Sequence, residues 1–188
     1  MTLPRGFKAN AEREAIRVRS EMGLPQRAPI SVDRLATEIA GATIIDGGEL
    51  IDPALFADLQ SIQQYAFSAA TFDIDGRKII VTSPLATPER RASDIAHEVA
   101  HILLKHELSE VREVNGVPFR TCMPDEEEQA TALGGTLLLP RPLLLAAARE
   151  GLITPRQIAK RFGVSEEMAR FRLNATGAAK QAERFTGK

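Results

Sequence analysis

The amino-acid sequence predicts an α+β fold with a small antiparallel or mixed sheet, a long central helix and a C-terminal helical extension. Three patterns support this prediction. Short apolar runs flank the turn dipeptide Asp75-Gly76, as in a β-hairpin. A helical pattern after Thr87 carries the motif His97-Glu98-Val99-Ala100-His101. The region after residue 154 has the apolar and glycine spacing of a helix-turn-helix.

Helices and strands are mixed in the first half of the chain. Helical periodicity that ends at Gly23 and Pro25 predicts a first helix, and Ser31 is a suitable N-cap for a second. The predicted elements are a helix over 11–22, a short helix over 32–40, a strand over 42–45, an undecided helix or strand over 50–63, and strands over 64–68, 71–74 and 78–82. If the strand over 78–82 lies at an edge beside the cleft, an extended peptide could pair with it.

The second half is mainly helical. Thr87 as N-cap and Pro88 as first helical residue start the motif helix. The predicted elements are a helix from 87 to about 105, a polar loop over 107–123, a helix from 124 to 140, a short helix from 142 to about 151, and a helix-turn-helix over 154–173. We divide the chain into a domain over 1–150 and a helix-turn-helix-like extension over 151–188.

The motif places three functional groups on one helix. At 3.6 residues per turn, His97 and His101 are separated by about 40° around the axis, so both imidazoles can bind one metal. Glu98 lies about 100° further round, where it can reach a water on that metal as a general base.

A third ligand must come from elsewhere, because a catalytic zinc takes three protein ligands and leaves one position to water. His106 lies nine residues after His97, half a turn out of phase, and we expect it at the helix C-terminus, facing away from the metal. A carboxylate on the next helix is the simplest choice. Glu127 shares the apolar face of that helix, whereas Glu126 and Glu128 are expected to be solvated.

Several alternatives stay open at this point. The histidine pair could be a chance match on an ordinary helix. Asp94 could orient a ligand imidazole, although an exposed helix aspartate is favoured. Tyr65 could stabilise an oxyanion and Cys122 could reach the metal, although a core aromatic and a plain loop cysteine are favoured. Two adjacent glycines inside the 124–140 helix, Gly134 and Gly135, predict a close approach of two helices.

These residues resemble a known family. The segment His97–His106, followed by Glu127–Leu133 and Leu137–Pro140, is similar to the pattern of the ImmA/IrrE metallopeptidases. That pattern is a histidine pair with a glutamate, a downstream glutamate before Gln/Glu-Ala, and Leu-Leu-x-Pro. The chain departs from it at Gly134-Gly135, where the family usually has alanines, and at Ala92-Ser93, where it has an arginine and a bulky apolar residue.

The resemblance implies a fold, a cofactor and a reaction. The fold is a zincin-like minimal metallopeptidase, and one Zn²⁺ ion is held by His97, His101 and Glu127, with Glu98 as the catalytic base. The expected activity is that of an endopeptidase that cleaves a helix-turn-helix transcriptional repressor, which relieves repression in stress or mobile-element control. The alternative is a regulatory protein that binds a repressor or DNA without cleaving it, with an idle or structural metal site. An intact Glu98 favours the peptidase, because a binding protein has no need of it.

Composition restricts the cellular location and the possible binding partners of the protein. One cysteine excludes an intrachain disulfide, the N-terminus lacks the apolar run of a signal peptide, and no segment is apolar enough for a membrane helix. We therefore expect a cytoplasmic protein. Its net charge is −1, but residues 156–188 carry eight basic and three acidic side chains. A basic tail could contact DNA or dock on the acidic remainder of the chain, and docking is favoured.

Overall fold

The protein has an α+β fold, as the sequence predicts. The computed structural model describes residues 3–25, 27–50, 68–106, 111–114, 117–120 and 123–181. The undecided element over 50–63 and the predicted strand over 64–68 lie almost wholly outside the described residues, and so do Tyr65 and Cys122.

Seven α-helices, a short 3₁₀ helix over Gly47–Glu49 and five strands are described. The helices are α1 Phe7–Glu21, α2 Val32–Arg34 with a π-helical continuation Leu35–Ile39, α3 Pro88–Leu104, α4 Pro124–Leu138, α5 Arg141–Arg149, α6 Pro155–Phe162 and α7 Glu166–Thr176. The strands are β1 Ala42–Asp46, β2 Ala69–Ile74, β3 Arg77–Thr82, β4 Val111–Val114 and β5 Val117–Arg120. Most of the predicted elements are thus confirmed to within a few residues.

The three-stranded sheet is mixed, with the order β1-β3-β2. β1 runs parallel to β3, and β2 pairs with β3 as an antiparallel hairpin. Asp75 and Gly76 both have positive φ values, 52° and 78°, which is the conformation of a type I′ turn. The hypothesis that 78–82 is an edge strand is wrong, because β3 has a neighbour on each side. Among the described strands, β1 and β2 lie at the two edges.

The motif helix α3 packs against both the sheet and α4. Thr87 caps it by accepting a hydrogen bond from the Arg90 N–H at 3.3 Å. Its apolar residues Ile95 and Val99 are fully buried in a cluster with Ile80 and other residues from α1 and α4. Each such side chain contributes about 1.5–3 kcal/mol through burial. This packing fixes the rotation of α3, and with it the direction of the motif side chains.

Helix α4 crosses α3 at very short distance, as the glycine pair predicted. A Cβ atom on Gly134 would lie 2.8 Å from the carbonyl oxygen of Ala96 and 3.0 Å from the backbone nitrogen of His97. Real Cβ contacts are essentially never that short, so no larger residue fits without movement of the backbone. The first glycine therefore sets the spacing of the two helices beside the first motif histidine.

The polar loop predicted over 107–123 contains a second sheet. β4 and β5 pair in antiparallel orientation, with Val111 opposite Arg120 and Val114 opposite Val117. The prediction of a loop is therefore incomplete. The signal was present in the sequence: Asn115-Gly116 is a strong hairpin dipeptide between two short valine-containing runs.

The C-terminal extension forms the predicted helix pair, with Thr154 capping α6 through a capping box and Ser165 capping α7. It packs on α4 and α5 through an apolar cluster that includes Leu139, Leu143, Leu144, Ile158, Phe162 and Leu173. This cluster joins residues on both sides of position 150, and the domain boundary there stays a prediction.

No single described helix is long and apolar enough to cross a membrane. Only Pro124–Leu138 and Arg141–Arg149 taken together reach that length and composition, and they are bent by 42°.

Candidate metal centre

Two adjacent helices bring together the three predicted metal ligands. His97 and His101 project from the same face of α3, and Glu127 projects from the first turn of α4. Each of these residues offers a donor atom, and the three donors lie within 4.8 Å of one another. The neighbours Glu126 and Glu128 are not part of this group. The structure therefore places beside the histidines the same glutamate, Glu127, that helix periodicity predicted.

The donor distances fit a small tetrahedral ion. His97 Nε2 lies 3.0 Å from His101 Nε2 and 3.1 Å from Glu127 Oε2, and His101 Nε2 lies 3.3 Å from Glu127 Oε1. Two ligands of a zinc ion with bonds of 2.0–2.1 Å are about 3.3 Å apart in a regular tetrahedron. The two imidazole nitrogens and the carboxylate thus have both the chemistry and the spacing that a His₂Glu zinc site requires.

Electrostatics keeps the glutamate ionised. The side chain of Glu127 is about one-third exposed. Hydrogen bonds to the His101 ring, and then to the His97 ring, hold the pKa of the Glu127 carboxyl far below its usual range, against the opposing effect of partial burial. A carboxylate that stays ionised is the form that binds a cation.

The predicted base is buried beside the sheet. Glu98 is only 3% exposed, and its Oε2 accepts a hydrogen bond of 2.6 Å from the Thr71 hydroxyl on β2. Thr71 is itself buried. Thr71 could not be predicted from the sequence, because its partner is 27 residues away and no local pattern connects the two residues. Strand β2 thereby fixes the position of the motif glutamate.

His106 lies at the C-terminus of α3 and outside the three-donor group, as predicted, but the expectation that it faces away from the site is wrong. The prediction assumed a continuous helix, but α3 ends at Leu104 and Lys105 adopts a left-handed conformation with φ of 57°. This reversal returns His106 to the helix, where its Nδ1 lies 3.0 Å from Nδ1 of His101. If His101 binds a metal through Nε2, its Nδ1 carries the proton and donates it to His106.

Asp94 is buried, contrary to the favoured prediction of an exposed aspartate. It is 8% exposed, and its Oδ1 pairs with Arg90 Nε at 3.1 Å. Its Oδ2 is buried and has no hydrogen-bond partner among the described residues. Burial raises the pKa of the Asp94 carboxyl, and the nearby charge of Arg90 opposes that effect. Asp94 lies one turn of helix before His97 and places its carboxyl group near this first motif histidine.

The fold is α+β, and the three donors are a group that could hold a metal ion, as in a metallopeptidase domain. A family model, the IrrE N-terminal-like domain of peptidase M78, matches residues 54–174. The match covers well over half of the 188 residues, so the chain belongs to this family. The family name indicates a peptidase.

The solved structures support the same fold. A Mycobacterium tuberculosis transcriptional regulator matches with a TM-score of 0.58 and 20% sequence identity, over 90% of this chain and 52% of the regulator. The chain therefore spans about half the length of that regulator. A comparison with curated proteins gave no match.

Proposed function

We propose that the protein is a zinc-dependent endopeptidase in which His97, His101 and Glu127 hold one zinc ion. The observation that carries this proposal is the convergence of three donors from two helices at 3.0–3.3 Å, with the buried motif glutamate on the same helix. A structural zinc site normally has four protein ligands, whereas three ligands leave a position for chemistry.

Glu98 is the general base of this reaction. Zinc bound here would acidify a water molecule and polarise a substrate carbonyl. Glu98 accepts the proton of the attacking water and delivers it to the amine that leaves when the peptide bond breaks. The hydroxyl of Thr71, 2.6 Å from Glu98 Oε2, restrains the carboxylate while the proton moves. Burial of both side chains limits the number of orientations that the carboxylate can adopt.

We further propose that the substrate is a helix-turn-helix transcriptional repressor and that cleavage relieves repression. Two points support this choice: the resemblance to the ImmA/IrrE metallopeptidases implies such a substrate, and a chain of similar fold is named as a transcriptional regulator. Such a reaction takes place in the cytoplasm, in contact with the repressor and not with a membrane.

Incubation of the zinc-loaded protein with a candidate repressor tests the proposal. We expect loss of full-length repressor with wild type, and no loss with Glu98→Gln, which keeps the size of the side chain but cannot accept the proton. Glu127→Gln should lose bound zinc, measured by elemental analysis, whereas the matched control Glu126→Gln on the same helical turn should retain it. Equal loss of repressor with wild type and Glu98→Gln would contradict the peptidase function.

The same variants distinguish a peptidase from the alternative, a regulatory protein that binds the repressor without cleaving it. A repressor that is bound but never cut, with the same dissociation constant for wild type and Glu98→Gln, would favour sequestration. Zinc content unchanged by Glu127→Gln would show instead that the proposed ligand set is wrong.

A further inference from the structure

Two cavities border the three-donor group. The larger has a volume of about 650 Å³, lies between α1, α4 and α7, and includes Glu127 in its wall. The smaller has a volume of about 380 Å³, lies between α3, α4 and α7, and includes His97 and Glu98. The candidate metal ligands therefore contribute to the walls of two neighbouring depressions, which a peptide bound at the site could occupy.

The cavities differ in chemistry. Four alanines, with Leu3 and Phe171, contribute the apolar part of the wall of the larger cavity, and its charged groups are Lys8, Glu12, Glu127, Glu128, Arg141 and Arg172. The smaller one is bordered by charged and hydroxyl side chains, among them Asp94, Ser165 and Glu167. The larger cavity has room for a bulky apolar side chain, since drug-sized pockets begin near 300 Å³.

Phe171 separates the two cavities. Among the described residues, only Thr131 on α4 and Phe171 on α7 contribute to both walls. Phe171 is 39% exposed, so the rest of the described chain covers it only in part. The second glycine of the pair accommodates this ring, because a Cβ on Gly135 would lie 3.2 Å from Phe171 Cε1. The helix-turn-helix-like extension thus forms part of the depression next to the metal.

The extension is fixed in this position by the residue that follows Phe171. Arg172 is only 5% exposed. Its Nε donates to the carbonyl oxygen of Leu139 at 3.0 Å, and its Nη2 donates to Glu12 Oε1 at 2.7 Å. A buried guanidinium is strongly destabilising without such partners, so α7 has one preferred position on α1 and α4. A wall residue held in this way can discriminate between substrates.

We infer that Phe171 is a specificity-determining residue of the peptidase and that it limits the size of an apolar substrate side chain bound in the larger cavity. The inference rests on the proposed function and adds a substrate class: polypeptides with a bulky apolar residue on one side of the scissile bond. The extension then serves as a wall of the substrate cleft. This role agrees with the burial of Arg172, which would have to leave its partners to contact DNA.

A degenerate peptide mixture tests the inference, with cleavage sites identified by mass spectrometry. We expect wild type to select an apolar residue at one fixed position next to the cut. Phe171→Ala should shift that preference toward larger side chains by about tenfold in relative kcat/KM, and Phe171→Trp toward smaller ones, as expected for added or lost space in an apolar pocket. Arg170→Ala, at the exposed neighbouring position, should leave the preference unchanged.

A binding measurement gives a second readout. In the inactive Glu98→Gln background, Phe171→Ala should change the dissociation constant of a selected peptide in the same direction as the cleavage preference, with zinc content unaltered. Cleavage with the same preference in wild type, Phe171→Ala and Phe171→Trp would overturn the inference alone. No cleavage of any peptide or repressor by zinc-loaded wild type would overturn the proposed function, and the inference with it. Salt-sensitive DNA binding that Arg170→Ala abolishes, with preferences unchanged by Phe171→Ala, would assign the extension to DNA.

Discussion

Substitution of Gly134, at the crossing of α3 and α4, is the most stringent test of how the fold positions the proposed metal ligands. In Gly134→Ala the new methyl group would lie 2.8 Å from Ala96 O, about 0.6 Å short of the ordinary contact distance of 3.4 Å. The obstructing atoms belong to the backbone of Ala96 and His97 and cannot rotate away. The helices must therefore separate by several tenths of an ångström.

The energetic effect follows from two opposing contributions. Overpacking in a tight interior is destabilising by about 1–3 kcal/mol, and replacing glycine by alanine in a helix is stabilising by about 1 kcal/mol. We expect Gly134→Ala to lower the free energy of unfolding by up to about 2 kcal/mol, which corresponds to a Tm lower by up to about 8 °C. His97 moves relative to Glu127, so zinc affinity should fall by on the order of tenfold, as for other changes that misplace a ligand.

The adjacent glycine provides a matched control. A methyl group on Gly135 would meet side-chain atoms of α7, Arg172 Cδ and Met168 Sδ at 3.1 Å, and not the backbone that carries a motif histidine. Zinc affinity from competition with a chromogenic chelator should therefore change much less in Gly135→Ala than in Gly134→Ala. Wild-type zinc affinity in Gly134→Ala, or equal losses in both variants, would refute the link between helix spacing and ligand geometry.

Three further expectations concern the groups around the metal. Thr71→Val removes the hydrogen bond to Glu98, so kcat should fall by about tenfold at constant zinc affinity, with recovery in Thr71→Ser; a drop in zinc affinity instead would mean a structural role. His106→Phe should weaken zinc binding by about 10–100-fold because the His101 ring loses its acceptor, and His106→Asn, which offers an oxygen near the Nδ1 position, should restore part of it. Zinc at 100 times its dissociation constant should stabilise wild type by about 2.7 kcal/mol, and a chelator should reverse this; an equal response in Glu127→Gln would exclude that ligand.

Local periodicity predicted those parts of the site that lie on regular helices. The spacing of His97 and His101 fixes their common face, and the apolar residues of α4 place Glu127 on the face toward α3. Most elements were predictable for the same reason, because caps, turn dipeptides and apolar periodicity are local signals. The hairpin of β4 and β5 was missed although Asn115-Gly116 marked it.

The contacts that support the site were not predictable in this way. The hydrogen bond from Thr71 to Glu98 depends on which strand lies at the sheet edge, and strand order is a property of the whole fold. The contact of His106 with His101 depends on one residue, Lys105, leaving the helical conformation. A helix that continued past Leu104 would have placed His106 on the side away from the metal ligands. The positive φ of Lys105 ends the helix and places His106 against His101 instead.

Helix α4 and its two glycines connect the candidate metal centre with the proposed substrate cleft. Gly134 lets α4 approach the backbone of His97, and the next residue, Gly135, lets the extension approach α4 through Phe171. Successive residues of a helix are rotated by about 100°, so the two glycines face different neighbours and perform separate tasks. Substitution at the first should change metal affinity, and substitution at the second should change the position of Phe171 and hence the peptide preference. If both substitutions altered only overall stability, the two sites would not be linked through α4, and the size selection assigned to Phe171 would lose its structural basis.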